Sequence, residues 1–172
     1  MSYTTILAIH PEEKVEELFE LGNAWGSAPV IWDAIAQKYL GKSNFMAATL
    51  GDSGAKLWAL CRDESVPLLH RTVHLMTMDR MFIEKKDFKQ AAQDIRAFLN
   101  DFPQPENHIN HWPTIAEYLE TEPEIPAIGF HMTSVSENPF YGEWDDESES
   151  YGNPDWTTCR SVYGSIQGST EA

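Results

Sequence analysis

The stretch from Ala55 to Phe102, AKLWALCRDESVPLLHRTVHLMTMDRMFIEKKDFKQAAQDIRAFLNDF, decides the fold. Lys56–Cys61 is a short apolar run, which predicts a strand. A longer strand is predicted over Leu69–Ile83, where Val, Met, Thr and Phe alternate, with a bulge or tight turn near 77–80. The two runs are joined by a few polar residues, so they are expected to form an antiparallel pair.

The end of the same stretch predicts one amphipathic helix. Its apolar residues recur at spacings of three and four, which places them on one face for packing against a sheet: Phe88, Ala91, Ala92, Ile95, Phe98, Leu99 and Phe102. Asp87 is the predicted N-cap, with Gln90 completing a variant of the capping box. Pro103 and Pro105 end the helix.

The remaining chain predicts a single α+β domain. The sheet is expected to be mainly antiparallel, with about four strands, and helices pack on one of its faces. Outside Ala55–Phe102, strands are predicted over Thr4–Ile9 and Pro126–Val135. Helices are predicted over 11–21, 27–40 and Trp112–Glu120. Residues 44–50 are compatible with a helical turn, and Gly51–Gly54 predicts a tight turn.

Charge is the strongest global signal in the sequence. Twelve Lys and Arg residues face 27 Asp and Glu residues in 172, a formal net charge of −15. Direct nucleic-acid binding is disfavoured, because phosphate neutralisation needs a basic face, and an anionic membrane is disfavoured for the same reason. The charge predicts a basic protein partner; a purely solubilising role explains it equally well.

Compartment follows from a few simple features. The N-terminus lacks the basic segment of a signal peptide, and the longest apolar run falls far short of a membrane-spanning helix. Cys61 and Cys159 are too few for a disulfide framework, so both are expected to be reduced thiols. The sequence therefore predicts a cytoplasmic protein.

The chain changes character after Val135. Residues 1–135 form the predicted core domain, and 136–172 form an acidic, aromatic-rich C-terminal extension packed on the core or on a partner. Aromatic residues anchor interfaces while carboxylates steer the encounter. The predicted partner-binding residues are Glu143, Trp144, Asp145, Asp146, Glu147, Glu149, Tyr151 and Trp156. The alternative is that these aromatic residues only fasten the extension to the core.

Candidate catalytic chemistry is weak. His70, His74, His108 and His111 are the metal-ligand candidates, but the first two lie on a predicted strand, where four residues span roughly 13 Å. Ala36–Ser43 matches only the loosest form of a phosphate-binding loop. Its bulky residues fit better as the end of a helix at Gly41. We predict no cofactor and no catalytic residue.

The leading hypothesis is a non-enzymatic inhibitor or immunity-type protein. It resembles in character the small acidic proteins with which phages and plasmids block DNA-binding defence enzymes, and DNA mimicry is its sharpest form. The expected partner is a basic protein, such as a nucleic-acid-binding defence enzyme or a toxin. Two alternatives remain: a small metal- or nucleotide-dependent hydrolase using these histidines or Asp79, and an assembly protein that forms homodimers or larger homo-oligomers.

Overall fold

The fold is a single α+β domain, as predicted. The structure, a computed structural model, describes residues 2–13, 15–50 and 54–167. The strands are β1 Tyr3–Ile9, β2 Glu16–Gly22, β3 Met81–Glu84, β4 Ala127–His131, β5 Trp144–Asp145, β6 Ser150–Tyr151 and β7 Arg160–Ser161. The α-helices in these ranges are α1 Ala28–Leu40, α2 Phe45–Thr49, α3 Gly54–Ala59, α4 Leu68–Leu75, α5 Phe88–Asp101, α6 Trp112–Glu120 and α7 Val162–Gln167.

The main sheet has five strands in the order β2-β1-β4-β3-β7. Three of its four contacts are antiparallel, and only β3 and β7 run parallel. The prediction of a mainly antiparallel sheet is confirmed. The fifth strand, β7, comes from the C-terminal extension, so residues on both sides of position 136 contribute to one sheet. A separate two-stranded hairpin is formed by β5 and β6.

The helices pack against one face of this sheet and enclose the large core. Ile6, Ile83 and Ile128 point into it from three adjacent strands. The helical side chains that meet them are fully or nearly fully buried: Ile31, Ile35, Val73, Phe88, Ile95, Phe98, Trp112 and Leu119. Burial of such side chains stabilises the fold by about 1.5–3 kcal/mol each. The predicted apolar stripe of α5 is therefore confirmed.

The capping box predicted for α5 does not form. The Asp87 side chain makes no capping hydrogen bond, because a 3-10 turn over Lys85–Asp87 runs directly into the helix. Asp87 consequently has φ −103° and ψ 0°, whereas a capping side chain needs an extended backbone. Gln90 instead donates to Asp94 Oδ1 at 2.8 Å.

The second face of the sheet is covered by the C-terminal extension. Side chains alternate along a strand, so Ile6 faces the helices while Leu7 and Ile9 face the other way. The buried Phe140 and Cys159 of the extension pack on them. Gly129 makes this contact possible, since a Cβ there would lie 2.8 Å from the Phe140 ring.

Three predicted elements are wrong. Lys56–Cys61 is not a strand: α3 and a 3-10 helix at Leu60–Arg62 occupy this region. Most of Leu69–Ile83 is also helical, as α4, and only its end is the strand β3. The first segment is too short for its apolar pattern to separate helix from strand, and most of the second is buried, which has the same effect.

The predicted helix over 11–21 is replaced by β2, an edge strand that pairs with β1. Leu18, Phe19 and Leu21 are only half-buried on it. Their spacing imitates a helical stripe, but the chain turns back at Glu12, whose φ is 71°, and joins the sheet. Pairing with β1 overrides the local pattern, as tertiary context often does.

The predictions of β1, α1 and α6 are confirmed, and β4 forms within the predicted strand but ends at His131 rather than Val135. The ambiguous stretch after α1 contains the short helix α2. Gly41, with φ 61°, ends α1. The predicted turn at Gly51–Gly54 lies for the most part outside the described residues. Within the described ranges, no helix combines the length and the apolarity needed to cross a membrane.

Candidate partner-binding surface

The predicted acidic segment folds into a hairpin, which we call the acidic hairpin (residues 142–152). Trp144 pairs with Tyr151 across its two short strands. Gly142 and Gly152 close its base: the Gly142 amide donates to the Gly152 carbonyl at 3.0 Å, and the Gly152 amide donates to the Glu143 carbonyl at 2.9 Å. A Cβ on Gly142 would lie 2.1 Å from the Asn153 carbonyl oxygen, so this crossing requires glycine.

Asp145 holds the turn of the acidic hairpin. Its carboxylate accepts hydrogen bonds from the Glu147 amide at 3.0 Å and from Ser148 Oγ at 2.7 Å. Such side-chain-to-backbone bonds explain why Asp is favoured at turns. Glu149 completes the turn with φ 47°. Asp145 therefore stabilises the backbone of the turn through these two hydrogen bonds.

Three aromatic rings form a cluster on the acidic hairpin. Tyr141 and Tyr151 are stacked with centroids 4.8 Å apart, and Trp144 meets Tyr151 edge to face at 5.0 Å. Trp144 is 51% exposed and Tyr151 is 47% exposed. Tyr141 ties the cluster to the sheet, because its hydroxyl donates to Glu17 Oε1 on β2 at 2.6 Å. Burial and that carboxylate raise the pKa of Tyr141 to about 12.

The cluster forms one wall of a cleft of about 620 Å³, which we call the acidic cleft. Glu137, Glu143 and Asp155 supply carboxylates to its lining. Hydrogen bonds from the Thr157 side chain and backbone lower the pKa of Asp155, so this group stays ionised.

Arg80 is the cation in the lining of the acidic cleft, and its guanidinium is already engaged. Nε donates to the Pro139 carbonyl at 3.1 Å, and an Nη group donates to Thr158 Oγ1 at 2.6 Å. Arg80 thus fastens the extension on both sides of the acidic hairpin. After the hydrogen bonds from Thr157, the charge of Arg80 also contributes to the lowered pKa of Asp155.

Several carboxylates elsewhere on the protein form ion pairs, whereas the acidic hairpin contains no Lys or Arg. Cations on and just before α5 form ion pairs with carboxylates on and just after α6: Lys85 with Glu124, Lys89 with Glu122 and Arg96 with Glu120. By contrast, Glu143, Glu147 and Glu149 form no ion pair with the described residues. Arg160 is the only Lys or Arg after position 136. Five of the 11 residues of the acidic hairpin are acidic and none is basic, so negative charge is dense on this segment.

The eight predicted partner-binding residues do not all share one surface. Seven lie exposed on the acidic hairpin; Trp156 instead begins a 3-10 helix and packs, half-buried, beside Leu7 and Phe140. The sequence reasoning missed Tyr141 and Glu137, which line the acidic cleft. One sequence feature could have indicated the role of Tyr141. Gly142 and Gly152 flank the pairs Glu143-Trp144 and Ser150-Tyr151, and this arrangement indicates a hairpin that begins directly after Tyr141.

The histidines proposed as metal ligands lie in different surroundings. His70 and His74 lie one helical turn apart on α4, not on a strand, so the stated reason for setting them aside is wrong. Their rings nevertheless meet different surroundings. His70 is held between the Tyr39 hydroxyl, 2.5 Å from Nδ1, and Asp101 Oδ2, 2.8 Å from Nε2. His74 is buried, and neither ring nitrogen has a hydrogen-bond partner among the described residues; burial lowers its pKa to about 4.

The loop histidines are also separated. His108 is exposed, while His111 Nε2 lies 2.8 and 3.0 Å from the carbonyl oxygens of Gly22 and Asn23. No three His, Cys, Asp or Glu side chains among the described residues gather as a metal site would require. Asp79 lines a different cleft, with aromatic neighbours.

The proposed phosphate-loop match over Ala36–Ser43 is the last turn of α1 and its exit. The Lys42 amide donates to the Ala36 carbonyl, and the Gly41 amide also bonds there. These amides close the helix end, so they are not presented as a phosphate cradle.

Comparison with known proteins adds no relative to this picture. No protein-family model matches the chain, and neither a curated protein nor a solved structure is significantly similar to it.

Proposed function

We propose that the protein is a non-enzymatic binding protein that inhibits a basic protein partner through the acidic hairpin and the acidic cleft. One observation carries the proposal: the exposed rings of Trp144 and Tyr151 lie on the same hairpin as Glu143, Glu147 and Glu149, which form no ion pair with the described residues. This combination offers both an anchor and a charge that a basic surface would complement.

The two components act at different stages of binding. The carboxylates, in a protein of net charge −15, attract a basic partner over long range and raise the rate of encounter. The aromatic rings then supply the short-range contact, because large rigid rings bury much area at little entropic cost. A Lys or Arg side chain that lies over Trp144 or Tyr151 gains a cation–π contact of about 0.5–2 kcal/mol.

The partner class follows from this chemistry. A nucleic-acid-binding protein and a cationic toxin both present clustered Lys and Arg. If the partner is a DNA-binding enzyme, the exposed carboxylates of the acidic hairpin occupy the groove that normally receives phosphates. Binding there competes with DNA, which accounts for inhibition without any catalytic step.

The test is a pull-down from host lysate with three versions of the chain. The first is unchanged, and the second carries Glu143→Gln, Glu147→Gln and Glu149→Gln. Asp145 is kept because it holds the turn. The third, a matched control, carries the same charge change on exposed residues elsewhere: Glu20→Gln, Glu64→Gln and Glu106→Gln.

We expect the unchanged chain and the control to capture the same basic protein at low salt, and the hairpin variant to lose it. Moderate salt should release the partner, since the attraction between exposed charges is screened. Capture that is equal in all three versions, or lost equally in both variants, contradicts a specific role for the acidic hairpin. Purified partner, once identified, is then assayed for loss of its activity on titration with the chain.

A further inference from the structure

A second cleft of about 470 Å³ lies next to the acidic cleft, and we call it the aromatic cleft. Trp32, Trp58, Met78 and Met132 are part of its lining. The two indoles meet edge to face at 5.0 Å. Trp32 Nε1 already donates to Thr77 Oγ1 at 2.8 Å, so this indole presents mainly apolar surface to a ligand.

A smaller groove of about 230 Å³ continues from the aromatic cleft and shares Trp32 and Met132 with it. We call it the apolar groove. Trp25 and Val135 belong to its lining, yet Trp25 is 56% exposed and Val135 is 82% exposed. Contiguous exposed apolar surface beside a concave groove marks a binding site more often than isolated apolar residues do.

The three concavities lie side by side in one run, because consecutive residues of the loop after β4 line them in turn. Val135 lines the apolar groove, Ser136 the aromatic cleft and Glu137 the acidic cleft. A second boundary repeats the order: Asp79 lines the aromatic cleft and its neighbour Arg80 the acidic cleft. The run is apolar at one end and acidic at the other.

We propose that this run receives an extended segment of the basic partner, with bulky apolar side chains in the apolar groove and the aromatic cleft, and a Lys or Arg in the acidic cleft. The inference rests on the proposed function and deepens it by defining the segment that is recognised. Charge complementarity selects the occupant at the acidic end, where Glu137 and Glu143 adjoin the Trp144 ring.

The apolar end distinguishes this occupant from other ligands. A nucleic acid is repelled by the carboxylates of the acidic cleft. A purely cationic tail has no apolar side chain for a groove lined by Trp25, Trp32 and Val135. A purely apolar helix leaves the carboxylates of the acidic cleft without a cation. Only a segment that carries both kinds of side chain, a few residues apart, satisfies both ends at once.

The experiment selects binders from a library of random peptides displayed on phage, with the whole chain as bait. Affinities of the selected synthetic peptides are then measured by fluorescence anisotropy against three variants. Val135→Asp tests the apolar end, and the triple variant Glu143→Gln, Glu147→Gln and Glu149→Gln tests the acidic end. Leu68→Asp is the control, because Leu68 is exposed and lines none of the three concavities. Circular dichroism verifies that each variant is folded.

We expect the selected peptides to combine bulky apolar residues with Lys or Arg. Val135→Asp and the triple variant should each weaken binding about tenfold or more, while Leu68→Asp leaves it unchanged. Basic peptides that depend on the acidic hairpin but not on Val135 overturn this inference and leave the proposed function intact. Apolar peptides that ignore the acidic hairpin contradict both proposals. If no peptide is enriched, the inference fails, and the pull-down alone decides the proposed function.

Discussion

His74 makes the stability of the fold sensitive to mild acid. The imidazole is fully buried in α4 beside Trp58, and neither ring nitrogen has a hydrogen-bond partner among the described residues. Burial penalises the charged form, so the pKa falls from 6.5 to about 4 in the folded protein. In the unfolded chain the group keeps its ordinary pKa. Between these two values the unfolded state therefore binds a proton that the folded state does not.

The sign and size of the effect follow from this difference. The stabilisation from a neutral His74 is fully present above pH 6.5 and is lost as the pH falls towards 4. Each unit of difference in pKa is worth about 1.4 kcal/mol, so the loss over this window is about 3 kcal/mol. His74→Leu is similar in volume and cannot titrate. It should also be more stable at pH 7 by about 1–2 kcal/mol, because it removes a buried polar ring without partners.

Urea unfolding at a series of pH values, with ionic strength held constant, measures the effect. The informative quantity is the difference in free energy of unfolding between wild type and His74→Leu, since groups common to both proteins cancel. This difference should grow by about 3 kcal/mol between pH 7 and pH 4. Parallel curves for wild type and His74→Leu would refute the reasoning.

Three further perturbations test how the extension is attached. Gly129→Ala should cost about 1–3 kcal/mol in thermal or urea unfolding, because the new methyl group meets the Phe140 ring at 2.8 Å; an unchanged stability contradicts that packing. Tyr141→Phe removes the bond to Glu17 and the phenol whose pKa is about 12. Because the pKa is raised in the folded protein, the stabilisation from Tyr141 is full below pH 10 and declines as the pH rises towards 12, so Tyr141→Phe should lose less stability in alkali than the wild type. Equal losses would contradict a raised pKa for Tyr141. An absorbance titration of the phenolate measures that pKa directly. Arg80→Met removes hydrogen bonds to both sides of the acidic hairpin, worth about 1 kcal/mol each. Limited proteolysis should then cleave the extension faster than in wild type, and an unchanged cleavage rate argues against this role for the guanidinium.

How much of the fold could be predicted depended on whether an element has one buried face. The helix α5 has a single buried stripe, and its pattern located it to within a residue at each end. In α4, the polar residues His70, Thr72 and His74 are buried and occupy every second position, so the sequence imitates the alternation of a strand. A buried helix and a buried strand then look alike in sequence.

The edge strand β2 was not predicted from the sequence, for the opposite reason. Too few of its residues are buried to produce a strand pattern, and its apolar residues at positions 18, 19 and 21 fit a helix by chance. What places it in the sheet is the pairing with β1, including a register shift near Leu7. This pairing depends on residues of another strand, so the sequence of β2 alone does not reveal it.

The same limit applied to the binding surface. Composition identified an acidic, aromatic segment, and seven of the predicted residues lie together on the acidic hairpin. Composition could not tell that Phe140 and Trp156 face the sheet while Trp144 and Tyr151 face solvent. That division depends on the second face of the sheet, which only the three-dimensional arrangement defines.

The second face of the sheet also explains why the extension has two separable parts. Residues Thr4 to Ile9 are all buried, although the helices cover only one side of β1. A strand buried on both faces needs a second cover, and Phe140 and Cys159 provide it. That cover is complete without the acidic hairpin, whose rings at Trp144 and Tyr151 remain half exposed. Exposed aromatic rings add nothing to the burial that stabilises the sheet, so the need for a cover does not account for them. The proposed binding to a partner would account for them, and it predicts that changes confined to these exposed side chains alter binding while leaving the free energy of unfolding nearly unchanged.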